Sequence, residues 1–169
     1  MRRAIVILAI SVLVAACGST SQIRQPIEPV SAATAVFSVE KPVNAVPRES
    51  DQPAEHFLST ITSYLRTELA KNGRLAKEGD DALKIDIKVM EFRMRSGVSR
   101  MMFGIFAGKD GIASEVSVRD SSQKVLGSST VSTFNVMAVG GEEDIARMHA
   151  EEIAKTLLER LKARQEQGR

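Results

Sequence analysis

Between residues 83 and 95 the chain reads LKIDIKVMEFRMR, and its apolar positions alternate before changing parity. Leu83, Ile85, Ile87 and Val89 alternate with Lys84, Asp86 and Lys88; then Met90, Phe92 and Met94 alternate with Glu91, Arg93 and Arg95. A period of two predicts a strand with one buried face. The change of parity predicts a β-bulge near Val89–Met90, a strand that bends between two environments, or a second face covered by something apolar.

The rest of the pattern predicts three more strands and two helices. TAVFSVE, residues 34 to 40, has strand character and leads into a loop marked by Pro42 and Pro47. A helix follows, capped by Ser50 or Asp51 and stopped at Gly73. It carries Leu58, Ile61, Leu65 and Leu69 as a stripe, with Phe57 and Tyr64 beside it. A third strand spans roughly Ile112 to Arg119, DSSQK turns the chain, and a fourth strand runs from Val125 to about Val136. Its Ser and Thr content predicts one wet face. After Gly140 and Gly141, a second helix places Ala146, Ala150, Ile153, Leu157 and Leu161 on one stripe, flanked by Ile145 and Met148. Glu142, Glu143 and Asp144 at its start and Lys155, Arg160, Lys162 and Arg164 toward its end suit the helix dipole. The order β-α-β-β-β-α predicts an α+β, two-layer fold: a four-stranded sheet with two helices on one face. There is no internal repeat.

The first residues have a different pattern. MRRAIVILAISVLVAAC has a basic start at Arg2 and Arg3, an apolar run, and small residues before a cysteine, the three parts of an export signal. The uncharged run from Ala4 to Ala16 is shorter than the roughly 20 residues that span a bilayer. Val14, Ala15, Ala16 and Cys17 resemble the lipobox of bacterial lipoproteins, whose cysteine is acylated and becomes the first residue. Cys17 is the only cysteine, so a disulfide within one copy is impossible. The predicted division is a signal peptide at 1–16, the lipidated cysteine and a flexible tether at 17–33, one periplasmic domain at 34–165, and a frayed tail at 166–169. The tether is rich in Ser, Thr, Gln and Pro, and about 16 such residues would span roughly 20 Å.

Charge then changes meaning. The chain has 23 basic and 21 acidic side chains in 169 residues. Cleavage before Cys17 removes two arginines and leaves 153 residues with no formal net charge, so composition gives no case for a nucleic-acid partner.

The chemical candidates fail on spacing. RMMFGIFAGKDG suggests a phosphate loop, yet Gly104 and Gly108 are separated by three residues where the motif needs four before its Gly-Lys pair. Lys109 is followed by Asp110 instead of Ser or Thr, and a strand follows where the motif opens a helix. His56 and His149 are the only histidines, and neither has the second ligand of a zinc helix; both are expected in structural or surface roles. Glu142/Glu143 and Glu151/Glu152 are adjacent pairs that point apart on a helix, and no Gly-x-Ser-x-Gly elbow occurs. The expectation is a protein that is not an enzyme, holding no metal and no cofactor beyond the diacylglycerol and N-acyl chain on Cys17. Met101, Met102, Phe103, Ile105 and Phe106, with Arg100 and Lys109 around them, either cover the sheet or form a contact for a partner or ligand. A second expectation is a pocket for a lipid or small apolar ligand lined by Met90, Phe92, Met94 and the Phe103/Phe106 turn.

VAAC, KIDIKVMEFRMRSGVSR, FGIFAGKDGI, VSVRDSSQKVLGSSTV and GGEEDIARMHAEEIAKTLLERL together resemble a family of bacterial envelope lipoproteins defined by domain of unknown function 4410. The resemblance runs from about Leu83 to Leu161, plus the signal, and carries no catalytic residues. It implies an accessory, structural or assembly component of the envelope, bound to the membrane by its lipid and acting on an envelope protein partner. Gly18 after the cysteine, where Asp is absent, implies the outer membrane, with the domain facing the periplasm.

Overall fold

The alternation that begins at Leu83 forms an inner strand of the sheet. The computed structural model describes residues 17–26, 35–48, 52–94, 110–135 and 141–167. Its elements are β1 (Cys17–Gln25), β2 (Phe37–Val39), β3 (Val43–Asn44), α1 (Glu55–Lys71), β4 (Leu83–Arg93), β5 (Asp110–Arg119), β6 (Val125–Asn135) and α2 (Glu142–Gln167). The strands form one sheet in the order β1-β6-β5-β4-β2, with β3 also paired to β4. β2 and β3 run parallel to β4; the other pairings are antiparallel.

The α+β class stands, but among the described residues the sheet has six strands, not four. Two additions account for the difference. Residues 17–25, expected to begin a flexible tether, form β1 along β6, with Gly18 opposite Phe134 and Gln22 opposite Thr130. Strand structure among the described residues is therefore present from residue 17, within the expected tether. Val43 and Asn44, in the expected loop between Pro42 and Pro47, pair with Lys88 and Val89 as β3. At the other end α2 runs to Gln167, past the expected limit at 165.

The bulge is present. The β4–β5 register shifts between Val89 and Glu91, with Val89 opposite Ser114 and Glu91 opposite Ala113. Met90 is the extra residue. Without the shift Phe92 would turn to the outer face; with it Phe92 sits opposite Ile112, on the side of Leu83, Ile85, Ile87 and Val89. The change of parity keeps one face apolar.

That face carries both helices. Phe57, Leu58, Ile61, Leu65 and Leu69 of α1 and Ile145, Ala146, Ala150, Ile153, Leu157 and Leu161 of α2 are buried in one core with the strand residues. α1 ends as expected: Gly73 has φ +65°, and Arg74 N–H donates to Leu69 O at 2.8 Å. Its start differs. Ala54 is the cap residue and makes no side-chain hydrogen bond, while Ser50 and Asp51 lie outside the described residues. α2 opens with half a capping box, Asp144 accepting Gly141 N–H at 3.1 Å. That bond, with Arg147, holds the Asp144 carboxyl below its usual range. The two N-termini lie together, His56 Nε2 3.4 Å from Glu142 Oε2 and Tyr64 O–H donating to Glu143 at 2.8 Å. Arg66 ties α1 to β2 by donating to Val39 O, and Arg74, just past α1, donates to Ala35 O ahead of β2.

The outer face has no helix on it among the described residues. It carries Thr20 and Gln22, then Ser128, Thr130 and Ser132, then Glu115, Ser117 and Arg119, then Lys84, Asp86 and Lys88. Arg119 grips Asp86 through two nitrogens.

Candidate functional site

At one end of the sheet these elements leave a cleft of about 1160 Å³. Its lining comes from the segment after β3 (Val46, Pro47, Arg48), from the end of β4 and the residue after it (Met90 to Met94), and from Gly111–Ala113 and Ser132–Phe134. The bulge builds the site, because it swings Met90 outward to 39% exposure and returns Phe92 inward. Phe92 is held by Phe57 of α1, their ring centroids 4.8 Å apart and the planes tilted by 57°. A Cβ on Gly111 would meet Thr133 O at 3.0 Å, so the backbones approach closely there and the floor stays low. Phe134 lies across β1 so closely that a Cβ on Gly18 would meet its ring at 3.0 Å. Arg48, Glu91 and Arg93 place both signs of charge along the lining.

Beneath the sheet's inner face lies a second polar feature. His149 of α2 is fully buried, and its neutral ring offers one donor and one acceptor. Nδ1 lies 3.0 Å from Thr133 Oγ1 and Nε2 2.9 Å from Ser114 Oγ. Thr133 Oγ1 is in turn 3.0 Å from Ser19 Oγ. One chain of hydroxyls and imidazole thus links α2, β5, β6 and β1. Burial pushes the His149 pKa down to about 3, so the ring is neutral at ordinary pH.

Met90, Phe92 and Met94, predicted to line a pocket, do line the cleft. The predicted contact residues Arg100, Met101, Met102, Phe103, Ile105, Phe106 and Lys109 lie outside the described residues, as do Val14, Ala15 and Ala16. Cys17 is the first residue of β1. His149 takes the structural role expected of it, while His56 is exposed. Among the described residues no cluster of His, Cys, Asp or Glu is placed to hold a metal, and no helix is long and apolar enough to cross a membrane. Sequence reasoning missed Val46, Pro47, Gly111 and Phe134, which reach the cleft only through strand pairing.

A mixed sheet covered on one face by two helices, with a cleft at one end, defines a two-layer α+β domain. The chain belongs to the family described as Domain of unknown function (DUF4410), whose model matches residues 26–141. That match reaches back well before Leu83 and stops at the threshold of α2. PelC from Paraburkholderia phytofirmans, solved as a dodecamer, has a similar fold. It is 19% identical, covers 84% of this chain and 97% of its own, and has a TM-score of 0.54. A point variant of PelC, also a dodecamer, is 20% identical over the same shares with a TM-score of 0.52. Protein XCC0632 from Xanthomonas campestris, of family DUF330, is 14% identical over 85% of this chain and 95% of its own, with a TM-score of 0.52. No curated protein matches the sequence.

Proposed function

We propose that this protein is a lipid-anchored, non-enzymatic component of the bacterial envelope, held at the outer membrane through Cys17 with its domain in the periplasm, and working through protein contacts. The observation that carries the reading is the outer edge of β1. Its backbone has no strand partner on that side among the described residues, and Ile23 on it is 60% exposed. The opposite edge presents Val43 at 61% exposure. A long edge strand with a single charged residue, Arg24, is a template for strand addition from another chain. PelC, with a similar fold, assembles from twelve copies, and a further copy of this chain is the partner we favour.

A photoreactive residue at Ile23, crosslinked in intact cells, tests the contact. A ladder of self-adducts, or one dominant envelope protein, supports the reading; purely intramolecular adducts would remove it. Cys17→Ser tests the anchor. The variant is expected to leave the membrane pellet after a high-salt wash or to accumulate with its signal uncleaved, whereas retention equal to wild type would sink the lipid anchor.

A second reading, a binding module for a lipid or small apolar ligand, is favoured by one observation: Met90, Phe92 and Met94 converge on the cleft. Mass spectrometry of protein extracted from its own cells separates the two, since only the second requires a copurifying ligand.

A further inference from the structure

The start of β1 sets how the domain meets the membrane. Cys17 lies opposite Asn135, Asn135 opposite Asp110, and the next pairs along place Gly18, Phe134, Gly111 and Arg93 in one row across four strands. No residue separates the anchoring position from the sheet. At about 4.8 Å per strand this row is roughly 15 Å wide. The cleft opens along it, and Phe134, one of its walls, packs on Gly18 beside Cys17.

We propose that this end of the sheet, cleft included, lies directly against the phospholipid bilayer that holds the anchor; the inference rests on lipidation of Cys17. The headgroup layer is only about 5–8 Å deep on each side of the hydrocarbon core. Acyl chains attached at Cys17 therefore bring its strand neighbours into that layer. The chemistry of the row suits the position. Met90, Met94 and Phe134 offer apolar surface to the interface, and Arg48 and Arg93 offer guanidinium groups to phosphate. Glu55, Glu91, Glu142, Glu143 and Asp144 lie at this end too, from α1, β4 and α2. Their charge offsets the arginines, so the anchor and apolar contact set the orientation, with little help from anionic lipid. The β5–β6 turn lies at the opposite end, roughly 30 Å away along the ten residues of β5.

The chain has no tryptophan, which supplies the experiment. Met94→Trp reports from the cleft and Ser122→Trp from the distant turn, each in the full acylated protein reconstituted into phosphatidylcholine vesicles brominated near the headgroup. Emission from Met94→Trp is expected to fall roughly twofold, with Ser122→Trp unchanged and both results unaffected by added salt. Phe134→Trp, an aromatic exchange on the cleft wall, repeats the measurement if Met94→Trp misfolds. Equal quenching at both positions, or none at the cleft, in protein that carries its acyl mass and floats with the vesicles overturns the orientation alone. Protein purified from its own cells without acyl mass overturns the anchor and the orientation together.

Discussion

Phe57→Ala is expected to lower the unfolding free energy by about 3–5 kcal/mol. Phe57 is 1% exposed and packs against Ile61 and the strand residues of the same core. Truncation removes most of an aromatic side chain from a close-packed interior, and the neighbours relax only partly. The loss also reaches the cleft. Phe92 rests on the Phe57 ring, so its removal frees the one aromatic residue that β4 contributes after the bulge. Chemical denaturation reads the stability, and a drop under 1 kcal/mol would mean that Phe57 is not a core residue. Phe57→Leu, which keeps much of the volume, is expected to recover more than half of the loss.

The second large effect concerns acid. His149 has its folded pKa depressed to about 3 from an ordinary 6.5 by burial. Above pH 6.5 the ring is neutral in folded and unfolded chains alike, and its contribution is fully present. As pH falls through 6.5 the unfolded chain takes up a proton that the folded protein refuses, and stability declines until the folded ring protonates near pH 3. The slope is at most about 1.4 kcal/mol per pH unit, giving roughly 2 kcal/mol between pH 7 and pH 5. His149→Leu removes the titration but orphans the buried hydroxyl of Ser114 and half the bonding of Thr133, a cost of roughly 2–4 kcal/mol at pH 7. The difference between wild type and variant should therefore shrink as pH falls, a comparison in which His56 cancels. A constant difference from pH 7 to pH 5 would place a proton on His149 in the folded state.

The sequence makes the core strands and helices legible because burial repeats there with a fixed period. Leu83 to Val89, the stripe from Leu58 to Leu69 and the stripe from Ala146 to Leu161 all face inward as their spacing predicts. The bulge was visible as a change of parity. β1 was not, because GSTSQIRQ has no apolar alternation; its place rests on backbone pairing to a Ser- and Thr-rich partner, and polar side chains do not mark register. β3 is too short to have a period. Ser114 and Thr133 belong to strands rich in hydroxyls, yet they are buried, since their partner His149 arrives from α2 with no local signature. Arg160 was placed by its charge near a helix end. Instead it buries its stem, donates from Nη2 to Ser128 O at 3.0 Å, and leaves Nε without a partner.

The pairing of β1 with β6 has a temporal consequence. Ser19 and Thr133 touch across 114 positions of chain, so the first of the described strands to be made is the last to find its place. β1 precedes every other described element, but β6 must emerge before β1 has anything to pair with. Until then the edge of β6 stands open, and closing so long a loop carries an entropic cost that β4, β5 and β6, joined as neighbours, do not share. Sheet assembly thus ends at the first of the described strands, and until it closes the unpaired edge of β6 is a template that a strand from another chain can use.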